Sequence, residues 1–420
     1  MLQSHGSNIC IGVIGLGYVG LPLAVLWGEK GYRVVGVDAS QGKTKDILEG
    51  NSNLVDVNDY HMSSLIEENK LSVSSSYEGT SKCDAVFICV STALTDSGEP
   101  HHSLLFSAVE ELLKHIKPGT LLIIESTCAP GTMQNKVLPL VESGGFTVGR
   151  DIFLAYSPER IDPGNRNYTL KNIPRLVSGI TKGCRLRALD FYERLNIPTV
   201  SVKNTTVAEL AKVLENMYRD VNVALVNEMA RVCNSCGVDV WQVIRAASSK
   251  PFGYQPFYPG PGVGGSCIPK DSSYYLYWAR ENNVPAELVE RARKINNAMP
   301  EYCAVLVEDF LKERNIELAE SSVLVLGAAY KKDVGDLRGS PALELIKHLL
   351  SRKARVSFHD PFIESLELDS FTLDRVELSP ENIRGRDCVV LAVSHSCYIL
   401  NKLAHNDNIL DLTGTLPGPF

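Results

Sequence analysis

The sequence predicts an α/β protein with two doubly wound domains that a long central helix joins. An apolar strand at residues 9–14 leads directly into a glycine-rich turn and then into a helical pattern. A second series of apolar strands begins at residue 321. Between them, apolar residues recur with helical period from about residue 206 to 237. Strands that alternate with helices are typical of sheets covered on both faces, so both domains are expected to be Rossmann-like.

The bulk composition indicates a large globular chain. With 420 residues, 44% of them hydrophobic, it is long enough for two or three domains. We expect an NAD-binding domain at 1–200, a central helical and dimerisation domain at 201–300 and a substrate domain at 315–420. The net charge of −7 without a long basic run makes nucleic acid an unexpected partner.

Cysteine usage and the apolar amino-terminal stretch predict the compartment. The eleven cysteines are scattered, which favours reduced thiols, a cytoplasmic protein and no metal site. Residues 9–28 carry no charge, but they contain five glycines and Pro22, and no Lys or Arg precedes Lys30. We therefore expect neither a membrane span nor a signal peptide there, but a buried strand running into a packed helix.

The first turn has the pattern of a dinucleotide site. Its motif GxGxxG lies between a strand and a helix, and a second strand, at residues 33–37, ends in Asp38. Glycines let the backbone approach a pyrophosphate, and the acid can accept from ribose hydroxyls but would repel a 2′-phosphate. The pattern predicts NAD rather than NADP, the alternative being a glycine turn without a ligand. The predicted cofactor-binding residues here are Gly15, Leu16, Gly17, Tyr18, Val19, Gly20, Asp38 and Lys43.

Polar residues follow the next strands, predicted at 85–90, 121–124 and 152–156, in what we expect to be an open parallel sheet. Thr92 and Thr127 follow the first two, and Glu159 with Arg160 follows the third. Ligands of such sheets lie beyond the carboxyl ends of the strands, so these side chains should line the crevice. Helix caps are the alternative for the threonines, and a surface salt-bridged turn is the alternative for Glu159 and Arg160.

The long helix carries two polar residues that belong on one face. Lys212 and Asn216 are four residues apart, and a solvated lysine is the alternative to a functional one. Thr205 or Thr206 with Glu209 resembles a capping box. About thirty helical residues span roughly 45 Å, which favours a connection between domains and self-association along 206–237.

A loop rich in glycine and proline occupies residues 258–271 and delivers Cys267, with Lys270 and Asp271 just beyond it. A thiol near a cation and glycine amides is placed to ionise, and the thiolate is the reactive form. The alternative is a buried structural cysteine. Farther on, the second strand series lacks GxGxxG. We therefore expect it to bind the nucleotide half of a substrate rather than a second NAD. Lys331 and Arg338 there offer cations for phosphates, or are ordinary surface charges.

Five of these segments resemble the UDP-glucose/GDP-mannose dehydrogenase family of nucleotide-sugar 6-dehydrogenases. They are ESTCAPGT at 125–132, SPER at 157–160, ELAKVLENMY at 209–218, PFYPGPG with GGSCIPKD at 256–271, and AYKKDVGDLRGS at 329–340. The family has proline where this chain has Ser91, and an acid near His102.

The resemblance implies a four-electron oxidation that consumes two NAD and passes through a thiohemiacetal and a thioester on Cys267. It implies that Lys212 and Asn216 stabilise the oxyanion, that Asp271 orients water, and that Glu159 assists hydrolysis. The catalytic set is completed by Thr127. The implied substrate contacts are Glu159, Arg160, Lys212, Asn216, Tyr258, Gly260, Gly264 and Lys331. Arg338 is an implied cofactor contact.

The sugar stays open. SPER, PGN at 163–165 and KPFGYQPFYPGPG at 250–262 resemble the UDP-N-acetylhexosamine branch, whereas Ser266 and the run Lys270-Asp271-Ser272 resemble UDP-glucose dehydrogenases. We favour UDP-N-acetylglucosamine slightly. Two other classes also stay open, a two-electron hydroxyacid dehydrogenase with an incidental Cys267 and a non-catalytic NAD-binding protein.

Overall fold

The structure is a computed structural model that describes residues 9–416 except 55, 163, 164, 166, 369, 370 and 404. Pro163 and Gly164, which carry part of the PGN resemblance, therefore lie outside the described residues. The chain divides into two compact units. The first comprises Met1–Leu214 and Ser273–Asn282, and the second comprises Glu215–Ser272 and Asn283–Phe420.

The first unit is built on a doubly wound sheet. Its strands are β1 (Cys10–Ile14), β2 (Arg33–Val37), β3 (Leu71–Ser74), β4 (Ala85–Ile88), the short hairpin β5 (Ala93–Leu94) and β6 (Pro100–His101), β7 (Leu121–Ile124), β8 (Phe153–Tyr156), β9 (Arg175–Gly179) and β10 (Thr199–Ser201). The sheet order is β3-β2-β1-β4-β7-β8-β9-β10, and the order switches between β1 and β4. The expected all-parallel sheet is wrong at one place, because β9 pairs antiparallel with β8.

Helices cover both faces of this sheet. They are α1 (Gly20–Glu29), α2 (Gln41–Leu48), α3 (Asp59–Glu67), α4 (Ser103–Leu113), α5 (Leu138–Ser143) and α6 (Lys182–Arg194), with a 3₁₀ turn at Glu78–Lys82 and a π turn at Met133–Val137. Strand residues alternate between two apolar clusters: Leu121 and Ile123 of β7 pack into one, and Leu122 and Ile124 into the other. This two-sided burial explains why the strands are apolar throughout.

Three helices follow, α7 (Thr205–Ser235), α8 (Val240–Ala247) and α9 (Ile268–Glu281). The 31-residue α7 agrees with the predicted span 206–237 within two residues at each end. The expected capping box is wrong, because the Asn204 side chain accepts from Thr206 N at 2.7 Å and the Glu209 carboxylate binds a different segment. The expected loop through residue 271 is also wrong, because α9 begins directly after Cys267.

The second unit contains α10 (Glu287–Lys312), α11 (Pro341–Ser351), α12 (Pro380–Arg384) and α13 (Leu400–Leu403). Its strands are β11 (Ser322–Leu326), β12 (Arg355–His359), β13 (Ser365–Glu367), β14 (Thr372–Asp374), β15 (Cys388–Leu391) and β16 (Ile409–Asp411). A parallel sheet of order β12-β11-β15-β16 forms its core. Helix α10 continues past Pro300. Within the described ranges, no helix is both long and apolar enough to cross a membrane.

Candidate active site

The turn after β1 has the backbone that a dinucleotide loop needs. Gly15 has φ of +90°, and a Cβ there would lie 2.9 Å from the Cys89 backbone. A Cβ on Gly20 would overlap the Gly15 carbonyl oxygen, whereas a Cβ on Gly17 would meet no atom within 4 Å. Packing therefore requires the first and third glycines, and the second leaves open space where a ligand can approach the backbone. These residues fit an NAD pyrophosphate.

Asp38 lies at the end of β2, beside this turn. Its Oδ2 accepts from Leu16 N at 2.8 Å and from Lys43 Nζ at 3.0 Å, and its Oδ1 accepts from Ser40 N at 3.0 Å. Burial opposes ionisation of Asp38, but the hydrogen bonds from Ser40, Lys43 and Leu16 prevail and lower its pKa. An ionised carboxylate is thus held at the edge of the glycine turn, with the Lys43 ammonium beside it.

The threonines predicted from the strand ends are linked to each other. Thr92 Oγ1 donates to the Thr127 carbonyl oxygen at 2.9 Å, and Ser126 Oγ donates to Val90 O at 2.7 Å. Both threonines are partly exposed. Because β1, β4 and β7 are parallel, these threonines lie at the same edge of the sheet as Gly15 and Asp38.

Glu159, beyond β8, is held by a buried arginine. Its Oε1 accepts from the amides of Arg160 and Ile161 at 2.6 and 2.7 Å, and its Oε2 lies 2.7 Å from Arg175 NH2. Arg175 NH1 lies 3.1 Å from Glu125 Oε2. Arg175 is only 1% exposed, so the ion pair of Glu159 is not at the surface. The alternative interpretation of Glu159 as part of a surface salt-bridged turn is therefore wrong. The Arg160 guanidinium turns elsewhere and donates to Pro174 O at 2.6 Å.

The Arg175 network was missed by sequence reasoning. Glu125 is fully buried and also accepts from Tyr192 Oη at 2.7 Å. Burial raises the pKa of Glu125 to about 7; Arg175 opposes that rise and the charge of Glu159 adds to it. The sequence did offer one signal for this network, which is a charged residue directly beside an apolar run. Glu125 follows LLII at 121–124, and Arg175 precedes LV at 176–177. Arg175 thus links the carboxylates of Glu125 and Glu159 in one network.

Helix α7 presents its predicted pair from a buried face. Lys212 is 9% exposed and Asn216 is 8% exposed, so Lys212 is not the solvated lysine of the alternative interpretation. Asn216 Nδ2 donates to Asp271 Oδ2 at 2.6 Å. Asn216 and Asp271 are thus brought together as predicted, although 55 residues separate them.

We call residues 258–272 the cysteine segment. Cys267 is exposed and directly precedes α9, which excludes the alternative of a buried structural cysteine. A Cβ on Gly264 would lie 2.6 Å from Gly339 O, and one on Gly265 would lie 2.6 Å from the Tyr330 ring. Gly265 N also donates to Arg338 O at 3.0 Å. The glycines therefore let the backbone before Cys267 lie directly against residues 330–339.

The segment 330–339 carries the two predicted cations. The exposed Arg338 guanidinium donates to both oxygens of Asp336, with Nε at 3.0 and 3.1 Å and NH2 at 2.6 Å. Burial opposes ionisation of Asp336, but its hydrogen bonds from Arg338 lower its pKa. Lys331 Nζ lies 5.9 Å from the centre of the Tyr330 ring. Both cations are thus on the segment that contacts the cysteine segment.

The amino-terminal end of the cysteine segment carries an aromatic pair. Exposed Tyr258 is stacked on Trp241 with ring centres 6.1 Å apart and an interplanar angle of 18°. Gly260 N donates to Asn227 Oδ1 at 3.0 Å.

The second sheet uses its equivalent acid differently from the first. Asp360 follows β12 as Asp38 follows β2, but its Oδ2 accepts from Ala328 N at 2.8 Å and Ala329 N at 3.0 Å and lies 3.0 Å from His395 Nε2. Asp360 is fully buried. It is therefore not exposed to accept from a ribose. In the part of the chain that the structure describes, no three His, Cys, Asp or Glu side chains group to hold a metal ion.

Comparison with known proteins gives consistent matches along the chain. Three models of the UDP-glucose/GDP-mannose dehydrogenase family match it: the NAD binding domain at residues 9–196, the central domain at 206–298 and the UDP binding domain at 324–416. UDP-N-acetyl-D-mannosamine dehydrogenase of Pyrococcus horikoshii is 33% identical over 386 residues, covering 92% of this chain and 89% of that protein. UDP-N-acetyl-D-glucosamine 6-dehydrogenase of Pseudomonas aeruginosa is 32% identical over 395 residues, covering 93% and 91%.

The fold agrees as well. A solved structure of the UDP-D-ManNAc dehydrogenase from Pyrococcus horikoshii superposes with a TM-score of 0.86 at 30% identity, covering 98% of this chain and 97% of that chain. The resemblance predicted from the five motifs is confirmed, as are the α/β fold class and the NAD cofactor. The chain belongs to the UDP-glucose/GDP-mannose dehydrogenase family.

Proposed function

We propose that this enzyme oxidises the 6-hydroxymethyl group of a UDP-sugar to a carboxylate with two NAD, and that the sugar is UDP-N-acetylglucosamine or a related UDP-hexose. The observation that carries the proposal is an exposed Cys267 on the same segment as Asp271, whose buried carboxylate accepts a hydrogen bond from Asn216 of α7. A two-electron alcohol oxidation has no need of a thiol. An aldehyde does need a nucleophile to become a hydride donor again and end as an acyl group.

NAD accepts the hydride in each oxidation, and the chain positions it. The amides from Gly15 to Gly20 bind the pyrophosphate, and Asp38 with Lys43 holds the adenosine ribose. Thr92, Thr127 and Arg338 complete the cofactor contacts. The carboxylate at position 38 disfavours a 2′-phosphate, which supports NAD over NADP.

In the first oxidation the substrate alcohol loses a proton and a hydride and becomes an aldehyde. Asn216 and Asp271 hold the water that takes the proton, and the Lys212 ammonium stabilises the negative charge that develops on oxygen. Thr127 helps to orient the reacting group.

In the second oxidation the Cys267 thiolate adds to the aldehyde carbon and forms a thiohemiacetal. Loss of a second hydride from the thiohemiacetal carbon leaves a thioester on Cys267. Water then attacks the thioester carbonyl, the carbon–sulfur bond breaks, and the thiolate is released with the carboxylate product. Glu159 assists this hydrolysis as a base for the attacking water. One water is consumed for two hydrides removed.

The substrate contacts are proposed for both ends of the nucleotide sugar. Lys331 binds phosphate, and Tyr258, Gly260 and Gly264 contact the nucleotide side through the cysteine segment. Glu159, Arg160, Lys212 and Asn216 face the sugar. The relatives' names support an N-acetylhexosamine. UDP-glucose remains the alternative because of Ser266 and Ser272.

We also propose that the chain forms a homodimer or higher oligomer through α7. Its functional domains are proposed at residues 1–200, 201–300 and 315–420, and its compartment is proposed to be the cytoplasm. Helix α7 exposes an apolar stripe that includes Leu214, Tyr218, Leu225, Met229 and Val232. Light scattering at micromolar concentration should give at least a dimer, and a monomer there would contradict this assembly. Fractionation of the native cells would test the compartment.

The function is tested by counting NADH per sugar. UDP-glucose, UDP-N-acetylglucosamine, UDP-N-acetylgalactosamine, UDP-N-acetylmannosamine and GDP-mannose are offered separately, and two NADH per sugar are expected on one UDP-sugar. Cys267→Ser should lower acid formation by about 10³-fold or more. One NADH per product with an active Cys267→Ser would instead indicate a hydroxyacid-type dehydrogenase. NAD binding with no turnover of any sugar would indicate a non-catalytic protein.

A further inference from the structure

Helix α7 meets the cysteine segment at three buried side chains. Asn216, Asp220 and Asn227 are spaced by four and seven residues, so they lie on one face of the helix. Asp220 and Asn227 are fully buried, and Asn216 is nearly so. Each of the three forms a hydrogen bond with a residue between 260 and 272. The helix therefore contacts the segment along its length rather than at one point.

The two outer contacts lie near the two ends of the segment. Asn227 Oδ1 accepts from Gly260 N at 3.0 Å, seven residues before Cys267. Asp220 Oδ2 accepts from Ser272 Oγ at 2.7 Å, five residues after it. With both ends held, the thiol between them has little freedom to move relative to α7.

A second helix connects these two contacts. Asn296 of α10 donates through Nδ2 to Asp220 Oδ1 at 2.8 Å and to Asp220 O at 2.9 Å. Its Oδ1 accepts from Asn227 Nδ2 at 3.0 Å. Arg293, also on α10, lies with NH1 3.0 Å from Asp220 Oδ1 and neutralises the buried carboxylate.

This network fixes the orientation of each amide. A carboxylate only accepts, so Asn296 must turn its Nδ2 towards Asp220 and its Oδ1 towards Asn227. Asn227 must then donate to Asn296, which leaves its own oxygen for Gly260. A change at Asp220 is thereby transmitted to the far end of the cysteine segment.

We propose that Asp220, Asn227 and Asn296 are positioning residues that hold both ends of the cysteine segment and so set the place of the Cys267 thiol. The inference rests on the proposed function only for its effect on turnover. Its effect on the thiol can be measured in the protein without substrate.

The test uses one mild variant at each end of the segment. Ser272→Ala deletes a hydroxyl that donates to Asp220, and Asn227→Ala removes the acceptor for Gly260. Ser272→Thr restores the hydroxyl. Ser248→Ala is the matched control, since the Ser248 hydroxyl, directly after α8, donates to Ile244 O in the last turn of that helix at 2.7 Å. Alkylation of Cys267 by iodoacetamide is followed by peptide mass spectrometry, with the exposed Cys397 of the same molecule as internal reference.

Both Ser272→Ala and Asn227→Ala should raise the alkylation rate of Cys267 about three-fold or more while that of Cys397 stays unchanged, because a segment released at one end lets the already exposed thiol adopt more orientations towards the reagent. For Ser272→Ala, kcat should fall about ten-fold with KM nearly unchanged, and Ser272→Thr should recover most of it. A faster reaction at both thiols would indicate general unfolding and would count against a positioning role.

The outcomes separate this inference from the proposed function. If the wild type yields two NADH per sugar but Ser272→Ala and Asn227→Ala behave as Ser248→Ala does, the positioning role is wrong and the function stands. If the wild type oxidises none of the sugars while Cys267 alkylation rises in both variants, the positioning role stands and the proposed function is wrong.

Discussion

Asn216 Nδ2 donates to Asp271 Oδ2 over 2.6 Å, and both side chains are buried. Because the carboxylate offers only acceptors, this bond settles which side of the Asn216 amide faces Asp271. The pair thus combines a carboxylate that can take a proton with an amide that can stabilise negative charge.

We expect Asn216→Ala and Asp271→Ala each to lower kcat by about 10²-fold, because each removes one half of this pair. The fall in kcat of the double variant should be smaller than the product of the two single falls, which corresponds to an interaction energy of about 0.5–3 kcal/mol between the side chains. Steady-state kinetics on the preferred sugar measure all three. Asn282→Ala, at an exposed asparagine directly after α9, is the control. Strictly multiplicative losses would mean that the two side chains act independently.

Arg175→Met should lower the free energy of unfolding by about 3–5 kcal/mol, because it leaves Glu125 and Glu159 buried without their shared cation. Urea unfolding measures the loss. Arg187→Met removes an exposed arginine 4.0 Å from the Phe153 ring and should cost about 1 kcal/mol or less. Adding Glu125→Gln to Arg175→Met should recover part of the loss. A loss no larger than that of the control would contradict the role assigned to Arg175.

Asp38→Asn should weaken NAD binding about ten-fold and shift the ratio of NADP to NAD affinity in favour of NADP. The neutral amide no longer repels a 2′-phosphate, while its oxygen can still accept from Leu16 N. Calorimetric titration with each dinucleotide measures both effects, and Glu49→Gln at the exposed end of α2 serves as control. An unchanged affinity ratio would place the ribose elsewhere.

The Glu209 carboxylate makes stability depend on pH. It accepts from Gly131 N at 2.7 Å and Met133 N at 2.8 Å, but burial dominates and raises its pKa from 4.5 to about 7. As pH rises from 4.5 to 7 the unfolded chain therefore loses this proton first, and the folded state loses up to about 3 kcal/mol of stability.

Urea unfolding at pH 5, 6 and 7 should show that decline in the wild type and in Glu228→Gln, which is exposed on the same helix. In Glu209→Gln the decline should be smaller, since glutamine does not titrate. Equal slopes in all three proteins would mean that Glu209 is not the group responsible.

The sequence predicted features that depend on neighbouring residues. Gly15, Gly17 and Asp38 could be assigned because the turn and the next strand are close in the chain, and α7 could be assigned from its period. One helix start was misjudged at a proline. Pro269 was taken as part of a loop, although proline is well tolerated in the first turn of a helix.

The missed polar networks join residues that are far apart in sequence. Arg175 meets Glu125 across 50 residues, and Asn296 meets Asp220 across 76. Taken alone, Asp220 and Asn296 are ordinary polar residues of a helix, and Glu125 and Arg175 show only that a charge flanks an apolar run. The complementarity exists only after the chain has folded, so neither composition nor period could indicate it.

Helix α7 also limits which insertions and deletions the gene can accept. Each residue of an α-helix adds about 100° of rotation, so losing one residue between Asn216 and Asn227 would turn Asn227 about a quarter turn away from Gly260. Compensating point substitutions could not restore both contacts at once. Length changes in homologous genes should therefore be absent from this eleven-residue interval and accumulate instead beyond Ser235, where the helix ends.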